Sequence, residues 1–268
     1  MKRLLIAGCG DLGVRLAGRL CDGAWRTHGL RRQTRHLPAF IHAIGADLLD
    51  PSTLDQASGS WDAIIYQATP AERTAAAYRA AYVDGLRNLL QRASADRLIF
   101  VSSTAVYGQD GGEWVDETSP TDPPGFSGAV LLEAEALAAE HGGLALRFSG
   151  IYGPGRDYLI RTLRAGQARC RIDPPQWTNR IHADDCAAVL HHLLEQHAPQ
   201  SIYCASDSRP APRCEVLSWL AEQLGLPGPQ PDSPSTGQGK RVDNARLTSS
   251  GFNFQYPDYQ SGYRTLLA

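Results

Sequence analysis

Short, continuous apolar runs separated by amphipathic stretches fill the first 150 residues of the chain, and proline-punctuated segments follow. The first run, Arg3-Leu4-Leu5-Ile6-Ala7, passes directly into Gly8-Cys9-Gly10-Asp11-Leu12-Gly13 and then a helical stretch from Val14 to Leu20. Similar runs at Trp25 to Leu30, Ile41 to Ile44, Ala63 to Tyr66, Arg97 to Val101 and Leu144 to Phe148 predict five further strands. One helix is expected over about Arg73 to Ala93, with apolar positions at Ala77, Ala81, Leu86, Leu89 and Leu90, and another over about Ala129 to Glu140. Strands apolar on both faces and alternating with helices belong to a parallel sheet that is covered on both sides. The expected fold class is therefore α/β, a doubly wound Rossmann sheet.

Beyond Gly150 the periodicity is interrupted by Pro154, Pro174-Pro175, Pro210 and Pro212, although helices are still expected at about Asp184 to Gln196 and Cys214 to Leu224. These pieces predict a small C-terminal substrate lobe over the carboxyl edge of the sheet. The domain division is 1–150 for the nucleotide-binding domain and 151–268 for the lobe, partly interleaved. Gly228 to Gly239 is rich in Pro, Gly and Ser and is expected to be a mobile surface loop.

With 268 residues, 43% of them hydrophobic, the chain can bury a full core. Its 26 basic and 28 acidic residues nearly cancel, which argues against nucleic acid or an anionic membrane as partner. There is no apolar run long enough to span a bilayer and no leader-like N-terminal pattern, so a cytoplasmic location is expected. None of the six cysteines, Cys9, Cys21, Cys170, Cys186, Cys204 and Cys214, forms a CxxC, and free, mostly buried thiols are expected. No metal site is expected either. The nearest approach is His191-His192 with Cys186, and adjacent helical histidines point about 100° apart.

The candidate chemistry begins at the glycine turn. In a strand–GxGxxG–helix unit the first glycine permits the tight turn, the second lets the backbone approach a pyrophosphate, and the third lets helix and strand pack closely. The helix N-terminus then offers N–H groups and a positive dipole end to the phosphates. An acid ending the second strand would favour NAD, whereas arginine accommodates the additional phosphate of NADP. Here that strand ends in Arg31-Arg32, with Arg31 23 residues past Gly8 and Arg35 close behind. NADP is the expected cofactor, with NAD as the alternative.

Several further segments follow in a recognisable order: Asp47-Leu48, Gln67-Ala68, Tyr82 to Asn88, Val101-Ser-Ser-Thr-Ala-Val-Tyr-Gly108, Arg147 to Gly155 and Asn179-Arg-Ile-His-Ala-Asp-Asp185. With the glycine turn, they make nearly the whole chain resemble the extended short-chain dehydrogenase/reductase superfamily, specifically its NAD(P)-dependent epimerase/dehydratase group. The resemblance implies that Gly8, Gly10, Asp11, Leu12, Gly13, Arg31, Arg32, Asp47, Leu48, Gln67, Ala68, Ser102 and Tyr152 contact the cofactor. It places the catalytic Ser or Thr at Ser103. The proton-transferring Tyr-x-x-x-Lys pair of that family is missing. Aligned on Glu135, the tyrosine position is Ser127 and the lysine position Leu131, a shift by one gives Phe126 and Val130, and the only lysines are Lys2 and Lys240. Tyr107 and Ser103 remain as candidate catalytic groups, with Tyr152 and His182 as further candidates to handle the proton, although His182 reads first as a structural histidine. The expected function is oxidoreductase or epimerase activity on an unidentified small carbonyl, hydroxyl or nucleotide-sugar-like substrate. The alternative is a catalytically silent NADP-binding regulator. The sequence leaves the oligomeric state open, and analogy with the family offers a homodimer as one assembly.

Overall fold

The computed structural model of the chain describes residues 1–232 and 237–267. From the N-terminus run β1 (Lys2–Ala7), α1 (Asp11–Leu20), β2 (Trp25–Arg31), β3 (His42–Gly45), β4 (Gly59–Tyr66), α2 (Ala75–Arg79), α3 (Gly85–Leu90) and β5 (Ala93–Ser103). The middle of the chain supplies β6 (Gly111–Val115), α4 (Phe126–Glu140), β7 (Leu144–Phe148), β8 (Gly150–Tyr152), α5 (Tyr158–Arg164), β9 (Arg169–Cys170), β10 (Trp177–Thr178) and β11 (Arg180–His182). The remainder comprises α6 (Ala183–Glu195), β12 (Ile202–Ala205), β13 (Ala211–Pro212), α7 (Arg213–Leu224), β14 (Gln230–Pro231), β15 (Gly239–Val242), α8 (Ala245–Ser249) and α9 (Tyr259–Arg264).

Seven parallel strands form the central sheet in the order β12-β7-β5-β4-β1-β2-β3. The continuous apolar runs become its fully buried strands, with Leu4, Leu5, Ile6, Ile64 and Ile65 all at zero exposure. This is the doubly wound Rossmann arrangement expected from the sequence. Successive strands run from β1 out to β3, after which the chain returns to β4 on the other side of β1, so the order reverses there. Doubly wound sheets bind their ligands at the carboxyl ends of the strands at such a reversal. Helix α1 buries Leu12, Leu16, Ala17 and Leu20 along one face, as its periodicity requires.

The long helix expected over Arg73 to Ala93 is in fact two short α-helices joined by a π-helical turn, Ala80–Asp84. Gly85 N–H donates to the Ala80 carbonyl across this turn, and the Tyr66 hydroxyl from the end of β4 donates to the Ala81 carbonyl at 2.5 Å. The helix ends at Leu90, and Ala93 already pairs with Gly59 as the first residue of β5.

Two compact, interleaved units divide the chain. One comprises 1–106, 122–147 and 187–203, and the other 107–121, 148–186 and 204–268. The sequence predicts a division at 150 with partial interleaving, and in the structure two segments are exchanged about that region. Segment 107–121 belongs to the second unit because β6 pairs in parallel with β15 and Lys240 Nζ donates to the Tyr107 carbonyl at 2.5 Å. Segment 187–203 belongs to the first, where Arg97 Nη1 donates to the Leu193 and Gln196 carbonyls at the end of α6.

The second unit has its own core, built from Ile160, Leu163, Val216, Leu217, Leu220, Tyr259 and neighbours. Within it Cys170 and Cys214 form a disulfide, correcting the expectation of free thiols for these two. Cys9, Cys186 and Cys204 are buried thiols and Cys21 is exposed. The loop expected over Gly228 to Gly239 contains β14, which pairs with β9, and ends where β15 begins, while residues 233–236 lie outside the described residues. No described helix is long and apolar enough to cross a membrane.

Candidate functional site

The carboxyl ends of β1, β2 and β4, with the α2–π turn, surround a cleft of about 730 Å³ in the first unit. Its floor is the glycine turn. Gly8 has φ +80°, and a Cβ there would lie 2.6 Å from Ala68 Cα, so the tight turn excludes any other residue. At Gly13 a Cβ would lie 2.5 Å from Gln67 Nε2 and 2.9 Å from Ile6 Cγ2, which is the close helix–strand contact expected of the third glycine. Gly10 differs from both. A Cβ there would meet only Gly8 O at 3.8 Å, so the turn is open on its cleft side, where a side chain would otherwise obstruct a phosphate. No side chain caps α1, which leaves its N-terminal dipole turned to this opening.

Seven of the residues expected to contact a cofactor line the cleft: Gly8, Gly10, Arg31, Arg32, Asp47, Leu48 and Ala68. Arg31 is half-buried, and its Nη1 donates to Cys9 O at 3.3 Å, which steadies the guanidinium against the turn. Arg32 is exposed. Burial pushes the Cys9 thiol up to about 11, with the charge of Arg31 opposing the rise, so this thiol stays protonated beside the cleft. Asp47 is set by its surroundings. Its backbone N–H donates to Thr53 Oγ1 at 2.9 Å and its Oδ1 accepts from Leu49 N at 3.0 Å. The Leu48 carbonyl accepts from Asn88 Nδ2 at 3.0 Å, so the last residue of the Tyr82 to Asn88 segment holds the Asp47-Leu48 loop in place.

The other expected residues have different surroundings. The Asp11 carboxylate pairs with Arg15 at 3.0 Å, Leu12 is buried, and neither lines the cleft. Gln67 is buried behind the turn, with its Nε2 3.4 Å from Gly8 O. Ser102 is also buried, and its hydroxyl donates to Glu135 Oε1 at 2.6 Å. Ser102 therefore anchors a buried network in which Arg147 Nε and Nη2 donate to both Glu135 oxygens at 3.0 and 2.6 Å. Ser103 is half-buried, and its Oγ accepts from Ala105 N at 3.2 Å. Leu131, on α4, is buried at 4% exposure.

Tyr107 and Tyr152 belong to the second unit. Tyr107 is 1% exposed and its hydroxyl lies 3.1 Å from Cys204 Sγ. Tyr152 lines a separate cavity rather than the glycine-turn cleft. His182 is buried, accepts from Asp184 N at Nδ1, and its ring meets Tyr152 edge-on and Tyr256 at a tilt. Asp185, in the same segment, accepts from the backbone of Gln255 and Tyr256 at 2.8 and 2.9 Å.

Thr69, in the Ala68 to Pro70 loop that the resemblance places beside the ribose and nicotinamide, also lines the cleft, and the lining residues that the sequence did not assign to a cofactor include Gln33, Ala77, Ala80 and Ala81. The alanines were legible only as a helical face, and Ala80 and Ala81 reach the cleft from the π turn, where the Tyr66 hydroxyl takes up the Ala81 carbonyl. Such turns recur at functional sites.

The sequence model of the NAD dependent epimerase/dehydratase family matches residues 4–205. Protein YeeZ of Escherichia coli strain K12 is 32% identical over 274 positions, spanning 96% of this chain and 97% of YeeZ. A 3-diazoavenalumate denitrifying reductase of a Streptomyces species is 26% identical, spanning 97% of this chain and 98% of the reductase. A solved structure from Methylobacillus flagellatus, described as a NAD-dependent epimerase/dehydratase, superposes with a TM-score of 0.85 at 42% identity over 99% of this chain and 97% of that one. The open glycine turn, the strand order and the matched residues lead to one conclusion: the chain belongs to the NAD dependent epimerase/dehydratase family.

Proposed function

We propose that the chain binds NADP in the glycine-turn cleft and acts as an oxidoreductase or epimerase on a small carbonyl or hydroxyl substrate, without the Tyr-x-x-x-Lys pair. The observation that carries this reading is the pairing of an open Gly10 with two arginines, Arg31 and Arg32, on the same cleft. The turn would receive the pyrophosphate, Asp47 and Leu48 would flank the adenine, and the Arg31 fork would grip the 2′-phosphate. A bound nicotinamide supplies hydride transfer. The reductase relative, similar to this chain along its full length, supports redox chemistry over simple binding.

A positioned acid or base contributes about 10²- to 10⁴-fold, so loss of the dyad slows turnover without abolishing it if another group moves the proton. Ser103 is the candidate in the first unit, since its Oγ engages Ala105 N only as an acceptor. The second reading, a silent NADP-binding regulator, is favoured by two observations: Leu131 is buried at the lysine position, and the Tyr107 hydroxyl is engaged with Cys204.

Fluorescence titration with NADPH and NADH tests the cofactor assignment. The wild type should prefer NADPH, and Arg31→Ala should weaken NADPH roughly 10- to 100-fold, as expected for a charge-assisted hydrogen bond, while sparing NADH. Equal affinities unaffected by the substitution would overturn the assignment. Reduced nicotinamide consumed with any member of a carbonyl panel favours the enzyme. Tight binding with no consumption favours the regulator.

A further inference from the structure

We propose that a second cavity, enclosed entirely within the second unit, binds the carboxylate of a small organic acid with a flat or compact apolar body. The cavity holds about 210 Å³, below the roughly 300–1,000 Å³ of a complete small-molecule site, so it suits a headgroup with its adjoining ring or short chain rather than a whole nucleotide. It forms where β8 and β11 pair in parallel, with Arg180 opposite Gly150 and His182 opposite Tyr152. The start of α7 and one face of α9 complete the wall with Arg213, Val216 and Tyr263.

The lining combines two chemistries. Ile151, Leu159 and Val216 are apolar, and the rings of Tyr152 and Tyr263 stack with centroids 4.3 Å apart. Against this wall stand three arginines, Arg156, Arg180 and Arg213, and among the described residues no Asp or Glu lines the cavity. An apolar wall with an excess of positive charge selects an anion that carries a hydrophobic body.

Arg180 is the central group. It is only 5% exposed, and although its Nη2 engages Thr178, its Nη1 is buried without a hydrogen-bond partner. Tyr152 is 4% exposed and its hydroxyl is likewise buried and unpartnered. Buried donors left unspent, one of them on a permanent cation, are costly, and native interiors almost always satisfy them. The buried acid Asp207, which feels the charge of Arg180, does not line the cavity, and burial pushes its carboxyl up to about 7 against that pull. At neutral pH it therefore balances Arg180 only in part. A carboxylate would supply the missing acceptors, since its two oxygens match a guanidinium edge together with a second donor. The donors lie below the reach of solvent, so an incoming acid needs a small side-chain shift at the mouth, where Arg156 and Tyr158 are exposed. Phosphate fits less well, because a strongly hydrated dianion gains little from a wall of Ile151, Leu159 and Val216.

This inference rests on the second unit alone and is independent of the dinucleotide reading, so the two can fail separately. Calorimetric titration of the full chain without cofactor, using benzoate, benzamide and inorganic phosphate, tests it. Benzoate should bind saturably, benzamide at least tenfold more weakly, and phosphate should not displace benzoate. Arg180→Gln and Arg213→Gln should each weaken benzoate by about 10- to 100-fold. A thermal melt of each variant reports whether it has folded. If Arg180→Gln does not fold, the half-exposed Arg213→Gln and the benzamide comparison decide. Absence of saturable benzoate binding, equal binding of benzamide, tighter binding of phosphate, or benzoate affinity unchanged in the folded variants would each overturn the proposal.

Discussion

Glu135 stands on α4 at the centre of a buried polar network. Its two oxygens take bonds from Ser102 and Arg147, and the side chains of Arg147 and Glu135 are 4% and 8% exposed. A guanidinium this deep tolerates burial only while its carboxylate is present. Glu135→Ala should therefore cost about 3–5 kcal/mol in urea unfolding, the range for breaking a buried ion pair by removing one partner. A loss below about 1 kcal/mol, the value of a surface pair, would show that the network contributes little. The sequence displayed Glu135 and Arg147 as members of separate segments. Nothing in either segment revealed that Ser102, expected to face a cofactor, would be turned inward to join them. The glycines behaved otherwise: Gly8, Gly10 and Gly13 were legible because each answers a steric demand written in the local backbone.

At the scale of elements, strands and most helices emerged where the apolar periodicity put them, α1, α6 and α7 to within a few residues. The departures share a feature, which is an interaction arriving from elsewhere in the chain. The Ala-rich helix carries a π turn, and the Tyr66 hydroxyl, from the end of β4, takes up the Ala81 carbonyl within it. The Cys170–Cys214 bridge joins β9 to the start of α7 across 44 residues, a pairing that sequence spacing does not announce. A loop of that length restricts the unfolded chain by about 4 kcal/mol in the chain-entropy account. Reductant should accordingly lower the thermal midpoint of the wild type and leave that of the Cys170→Ser/Cys214→Ser double variant unchanged. Identical midpoints for the wild type with and without reductant would count against the bridge. The outcome also bears on the expected cytoplasmic location, because reducing compartments keep such thiols apart.

For the whole molecule, Asp207 ties global unfolding to pH in the range below neutrality. The carboxyl is fully buried, and burial raises it from its usual 3.8 to about 7, with Arg180 and the Arg209 backbone N–H lowering it and Asp258 and Asp185 raising it. The folded chain thus holds this proton more tightly than the unfolded one. The resulting stabilisation is complete below about pH 4 and is lost as pH rises through 7. Asp207→Asn should flatten that part of the profile, so the variant loses less stability than the wild type between pH 5 and pH 8 in urea unfolding. An unchanged slope would locate the effect elsewhere.

The sequence by itself determined the parallel sheet, the glycine turn and the arginines at the end of the second strand, because each depends on periodicity or sterics within a few residues. It also showed that the chain carries two lysines, Lys2 and Lys240. Only the tertiary structure decided which side chains face the cleft, where the two units divide, and which cysteines join. It alone buried Arg180 and Tyr152 together beneath an apolar wall. These outcomes depend on residues far apart in sequence being brought to one place, and no local pattern records where the chain returns.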